Sequence, residues 1–105
     1  MTRQEILKKA EECVCGQREQ DYGTPEDNFK IIADLWNDYL GLFDIFKRDK
    51  TTDQMIPVKH ITPQDVAMMM ALLKIARIKN GGGTGDSFVD LAGYAACGGE
   101  ICGKS

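Results

Sequence analysis

Two aspartates, Asp86 and Asp90, stand four residues apart. On a helix this spacing puts both carboxylates on one face, one turn apart, where like charges repel by about 0.2–0.5 kcal/mol unless a cation lies between them. Mg²⁺ fits that role, because it takes carboxylates and waters and keeps positions for phosphate oxygens. A lysine or arginine fits it equally. Lys74 and Arg77, three residues apart, are the cations at hand. A guanidinium fork grips a phosphate at two points, and an ammonium acts on it as a point charge. The same two cations can instead close internal ion pairs with Asp90 or Asp65. The ligand reading and the salt-bridge reading therefore stand side by side.

A second set is Arg18, Tyr22 and Asn28. Arg18 and Tyr22 precede the turn at Gly23, close to the start of a helix whose exposed amides attract anions. The Tyr22 ring can stack on a base, and Asn28 can read a base edge or ligate a metal. The plain alternative is that Tyr22-Gly23-x-Pro25 is a rigid turn. Trp36 reads as core, and Asp34 with Asp38 as a solvated face. No catalytic residue is identified. His60 is the one histidine, and no serine or cysteine sits in a nucleophile motif beside it. Gly81-Gly82-Gly83-Thr84-Gly85 follows a helix and lacks the lysine of a phosphate-binding loop. Met68, Met69 and Met70 read as core filler.

The elements that must position these residues are helical. Thr2 with Glu5 forms a capping box, and Ile6, Leu7, Ala10, Cys13 and Val14 repeat at helical spacing, predicting a first helix from about Arg3 to Arg18 or Gln20. Thr24-Pro25 starts a second, to Leu40, with Phe29, Ile32, Ala33, Trp36 and Tyr39 on one face. Thr62-Pro63 repeats the start signal, with Asp65 at the third helical position, for a helix to about Lys79. Asp86 is expected to cap a fourth, which dissolves at Gly98-Gly99. Between the second and third, Leu42, Phe43, Ile45 and Phe46 are apolar enough for a further helical turn or two. Lys47 to Asp53 reads as a charged loop, and Pro57 ends what precedes it. No period-two strand pattern and no repeat is seen. The expected fold is all-α: one domain, residues 1–105, a small four-helix bundle.

Length and composition agree. A chain of 105 residues is one domain and buries roughly two-thirds of its unfolded surface, enough for a modest core. Hydrophobic residues at 43% and charged residues at 28% exclude disorder. A net charge of −3 excludes a partner bound through many phosphates, such as long nucleic acid, yet two or three local cations suffice for one nucleotide. No apolar run approaches the ~20 residues of a membrane span, and the start of the chain has no signal-peptide core. A cytoplasmic protein is expected, its Cys13, Cys15, Cys97 and Cys102 reduced. Their spacing departs from the usual zinc pattern, although zinc, a disulfide and plain buried thiols all stay open.

Four blocks in order carry a resemblance: Arg18-x-x-x-Tyr22-Gly23-x-Pro25-x-x-Asn28-Phe29; Ile32-Ala33-x-Leu35-Trp36-x-x-Tyr39-Leu40; Asp65-Val66-Ala67-x-Met69-Met70-x-Leu72-Leu73-Lys74-Ile75-Ala76-Arg77; and Asp86-x-x-x-Asp90-Leu91-Ala92-Gly93-Tyr94-Ala95. Over about Cys13 to Glu100 they resemble a phage and prophage family known as a domain of unknown function. More widely, the chain is similar to phage nucleotide-modification domains and to MazG-like all-α nucleoside triphosphate pyrophosphohydrolases. This resemblance implies acidic residues from adjacent helices around Mg²⁺ and cleavage between the α- and β-phosphates. Those enzymes carry Glu-x-x-Glu on one helix and Glu-x-x-Asp on another. Here the second helix has no Glu-x-x-Glu, and the fourth carries Asp86-x-x-x-Asp90.

Three functions follow as expectations. One is a Mg²⁺-dependent nucleotide pyrophosphohydrolase, with Asp86 and Asp90 on the metal and Lys74, Arg77 and Arg18 on phosphates. Another is a non-catalytic phage protein that sequesters a host nucleotide signal, linear or cyclic, in evasion of anti-phage defence. The third is a structural or interaction module whose polar pairs are salt bridges. Four short helices have little depth for a nucleotide, so a homo-oligomer with its site near a subunit interface is expected, in the host cytoplasm if phage-encoded. Gly93, a mid-helix glycine, supports close helix approach there.

Overall fold

The computed structural model describes residues 1–16, 20, 23–82 and 84–104. Three threonines open the first three helices as their spacing predicts. In α1 (Arg3–Cys15) the Thr2 hydroxyl oxygen accepts from the Glu5 N–H at 3.1 Å, while its O–H donates to Glu5 Oε1. In α2 (Pro25–Leu40) Thr24 Oγ1 accepts from the Asp27 N–H at 3.3 Å, and Pro25 takes the first position, where no N–H is needed. In α3 (Pro63–Arg77) the box is reciprocal: Thr62 Oγ1 accepts from the Asp65 N–H, and Asp65 Oδ2 accepts from the Thr62 N–H at 3.0 Å.

Two ends differ from expectation. The α1 helix stops at Cys15, several residues early, because Gly16 leaves helical geometry (φ −105°, ψ −143°). The last helix, α4 (Gly85–Lys104), runs straight through Gly98-Gly99. Packing favours glycine there: a Cβ on Gly98 would crowd Ala67 Cβ at 3.2 Å and displace the flexible end of Met68, whose Cε would lie 2.8 Å away, at the close α3–α4 approach. Asp86 is not the cap of α4. The Thr84 carbonyl receives the first helical bond, from the Ser87 N–H at 3.0 Å, and Asp86 sits inside the first turn. Between α3 and α4 the chain makes a wide helical turn, Ile78–Gly82, with Gly81 left-handed at φ 81°.

The larger correction lies between α2 and α3. Residues read as extra helix and charged loop form an antiparallel hairpin, β1 (Ile45–Arg48) with β2 (Met55–Val58), so the fold is mostly rather than entirely helical. Pro57 sits inside β2, opposite Phe46. The Asp49 N–H bonds the Gln54 carbonyl at 2.8 Å. Counting outward from that bond, an antiparallel ladder makes Phe46–Pro57 a pair without hydrogen bonds, so the missing N–H costs nothing. Every strand residue but Val58 is exposed, which removed the alternating burial that would have marked the strands.

Among the described residues the chain is thus mostly helical, with four α-helices and a two-stranded sheet. Its core is Phe29 and Ala33 of α2, Val66 and Ala67 of α3 and Cys97 of α4, flanked by Val14, Ile32, Trp36, Ile61, Met70, Tyr94 and Ile101. The α4 helix packs most closely on α3 and then on α1, and α2 lies against α3. With the hairpin projecting, the radius of gyration is 16.0 Å, against about 13 Å for a compact chain of this length. No helix among the described residues is long and apolar enough to cross a membrane.

Candidate functional site

A cleft of about 330 Å³ opens where the end of α1, the start of α2 and the middle of α4 converge. Cys13 and Val14 line it from α1, Gly23, Pro25, Asn28 and Phe29 from the entry to α2, and Val89, Asp90, Gly93, Tyr94 and Cys97 from α4. Small-molecule sites occupy ~300–1,000 Å³, so this one is at the lower bound. The floor is apolar. Phe29 is buried, and its ring lies 6.2 Å from that of Tyr94, tilted by 34°. Gly93 lets α1 and α4 close on each other, since a Cβ there would stand 3.2 Å from Val14 Cγ1. That approach is within the chain, so Gly93 gives no support to an oligomer.

Of the residues singled out from sequence, the structure brings three together. Asn28 and Asp90 both line the cleft. Lys74 Nζ sits 3.0 Å from Asp90 Oδ2, its side chain 12% exposed against 34% for Asp90. The spacing argument had offered Asp90 either a metal or a basic side chain, and Lys74 is the group in contact. Arg77, one turn on, and Asp86, one turn before Asp90, are both exposed and form no ion pair among the described residues. Arg18 and Tyr22 lie outside the described residues. Among the described residues no group of three or more His, Cys, Asp or Glu side chains is placed to hold a metal ion.

Tyr94, which the sequence reading placed on the fourth helix without naming it a site residue, walls this cleft. The signal was present: Asp86, Asp90 and Tyr94 recur every four residues and so share a face of α4. Sequence reading also missed Asn37. This side chain is 3% exposed, and its amide spans the Ile61 backbone, Nδ2 donating to the carbonyl and Oδ1 accepting from the N–H, both at 3.0 Å.

A second hollow of about 260 Å³ adjoins, between the ends of α1 and α4 and the start of α2. Lys104 closes it, 2.7 Å from Glu26 Oε1 and 3.5 Å from Glu100 Oε1. The Lys104 hydrogen bond holds the Glu26 carboxyl below its ordinary pKa, and the same bond raises that of Lys104. At the hairpin base, Lys59 lies 3.1 Å from Asp44. Its pKa is raised by that bond and, more weakly, by Asp34 and Asp38, the pair read as a solvated face.

Among known proteins, the chain is 46% identical over 90 residues to the Gene 55 protein of Mycobacterium phage L5, covering 86% of this chain and 47% of that protein. It is 41% identical over 92 residues to the Gene 55 protein of Mycobacterium phage D29, covering 88% and 50%. The chain therefore spans about half the length of these curated relatives. No solved structure matches it. The family profile fits residues 5–102, nearly the whole chain, and the protein belongs to the family described as Domain of unknown function (DUF6378).

Proposed function

We propose that this is a phage-type nucleotide-binding protein, linear or cyclic, acting in the host cytoplasm, in which the α1–α2–α4 cleft receives the base. Phe29 and Tyr94 supply apolar ring surface, and the Asn28 amide, exposed at the rim, offers a donor and an acceptor for a base edge. Phosphates extend toward Lys74 and Arg77, with Arg18 and Tyr22 as further contacts. The observation that carries this reading is the convergence of Asn28 and the Lys74–Asp90 pair on one apolar-floored cleft. The small cleft volume favours completion by a second subunit, a homo-oligomeric helical bundle with the site near its interface.

A catalytic version adds Mg²⁺ at Asp86 and Asp90. Asp90 uses Oδ2 on Lys74, so the metal would compete with an ammonium already in place. Pyrophosphate release of the MazG-like kind therefore requires Lys74 to move. Simple sequestration of a host nucleotide signal does not. The competing structural reading draws on the same pair, which neutralises itself without any ligand.

The test is a thermal-shift and product assay across nucleoside triphosphates and cyclic dinucleotides, with and without Mg²⁺. Stabilisation by at least one class, lost in Asn28→Ala, supports binding. Pyrophosphate release, lost in Asp90→Asn, selects the hydrolase. No response to any nucleotide leaves the structural module standing and ends the proposal.

A further inference from the structure

From Val66 to Leu73 the α3 helix carries no polar residue on any face. Its inner face, Val66, Ala67 and Ala71, is buried, with Met70 half-buried against the core. Its outer face carries Met68, Met69, Leu72, Leu73 and Ile75 at 41%, 42%, 62%, 43% and 45% exposure, with Ala76 exposed among them. A helix that is apolar all round belongs in an interior. Those five side chains present on the order of 400 Å² of apolar surface, close to the apolar share of the ~800 Å² that each partner gives to a stable dimer.

The order of residues on that face says what covers it. Asp65, Met68, Met69, Leu72, Ile75, Ala76 and Lys79 form one stripe, spaced −7, −4, −3, 0, +3, +4 and +7 about Leu72. The spacing is its own mirror image, with the most exposed leucine of the helix at the centre and opposite charges at the ends. Asp65 and Lys79 are both exposed, and Ile78 keeps helical dihedrals beyond Arg77, so the register carries to Lys79. A two-fold axis at Leu72 running an identical helix antiparallel would set Met68 against Ala76, Met69 against Ile75, and Asp65 against Lys79 of the second copy, at both ends. A parallel pair would instead set Asp65 against Asp65 and Lys79 against Lys79.

We infer that α3 is a homodimer interface, two copies pairing antiparallel about Leu72 with Asp65–Lys79 ion pairs at the ends. This rests on the homo-oligomer reading above, not on nucleotide binding, and names the helix and register. Light scattering and sedimentation should give twice the 11.7 kDa chain mass. Leu72→Glu should give a monomer with unchanged circular dichroism, because Leu72 is 62% exposed and lies outside the core cluster. Lys79→Glu should weaken the dimer about tenfold or more at low salt, and less at high salt.

Register is tested by oxidation in a Cys15→Ser, Cys102→Ser background. Leu72→Cys should cross-link with itself. Met68→Cys alone should not, and Met68→Cys with Ala76→Cys should. A monomeric wild type at 100 µM overturns both this inference and the homo-oligomer reading. A dimer that survives Leu72→Glu, or cross-links through Met68→Cys alone, overturns the register while leaving an oligomer.

Discussion

Two asparagines nine residues apart on α2 are identical in chemistry and opposite in circumstance. Asn37 is buried, and both ends of its amide bond the backbone of Ile61, which fastens the start of α3 to α2. Asn28 is exposed at the cleft, and its side chain has no hydrogen-bond partner among the described residues. The same division recurs on α3, where Lys74 is nearly buried on Asp90 and Arg77 is exposed, without an ion pair among the described residues. A polar side chain whose capacity is spent inside the chain is architecture. One whose capacity is unspent beside an apolar hollow is available to a ligand.

The largest expected effect tests the spent member of the first pair. Asn37→Leu leaves the Ile61 N–H and carbonyl without partners. Each orphaned group costs about 1–3 kcal/mol when shielded from water, and Ile61 is only part-buried, so a loss of about 2–4 kcal/mol is expected in urea denaturation. Asn28→Leu should stay within about 0.5 kcal/mol of wild type. Equal losses at the two sites would erase the distinction between them.

The next effect concerns the pair that edges the cleft. Surface ion pairs contribute about 0–1 kcal/mol and breaking a buried one costs about 3–5, so Lys74–Asp90, with partners 12% and 34% exposed, falls between. Lys74→Met should cost about 1–2 kcal/mol, and Arg77→Met almost nothing. In a double-mutant cycle with Asp90→Asn, most of the Lys74 loss should vanish once Asp90 is neutral. A null coupling would mean that the 3.0 Å contact does not hold in solution, returning Asp90 to the cleft as an unpaired carboxylate.

What the chain made legible beforehand follows the same line. Threonine caps and prolines at Thr24-Pro25 and Thr62-Pro63 act within four residues, so the starts of α2 and α3 were readable to the residue. The hairpin was not, because its strand residues, Val58 apart, are exposed on both faces and its Pro57 reads as a breaker. Gly98 was misread because its use is a distant contact with Met68 and Ala67. Spacing found Asp90 and its candidate cations but could not choose between Lys74 and Arg77. That choice depends on how α3 and α4 cross.

The smallest effect concerns the other end of α2, where fastening is electrostatic and wet. Lys104, in the stretch of α4 beyond Gly98, reaches Glu26 in the first turn of α2. The lysine side chain is 59% exposed, so the pair can add only a small increment. Its sign is nonetheless fixed. Because the bond lowers the pKa of Glu26 in the folded chain, the increment is full above the unfolded carboxyl value and is lost as pH falls through the folded one. The difference in stability between wild type and Glu26→Gln should therefore be constant from about pH 6 to 8 and close as pH drops below about 4. High salt should shrink it at neutral pH, where the same addition should leave the Asn37 clamp untouched, because that clamp carries no charge. A difference that survives at pH 2 would mean that Glu26 works through its methylenes against the hollow, and that both ends of α2 are held by packing.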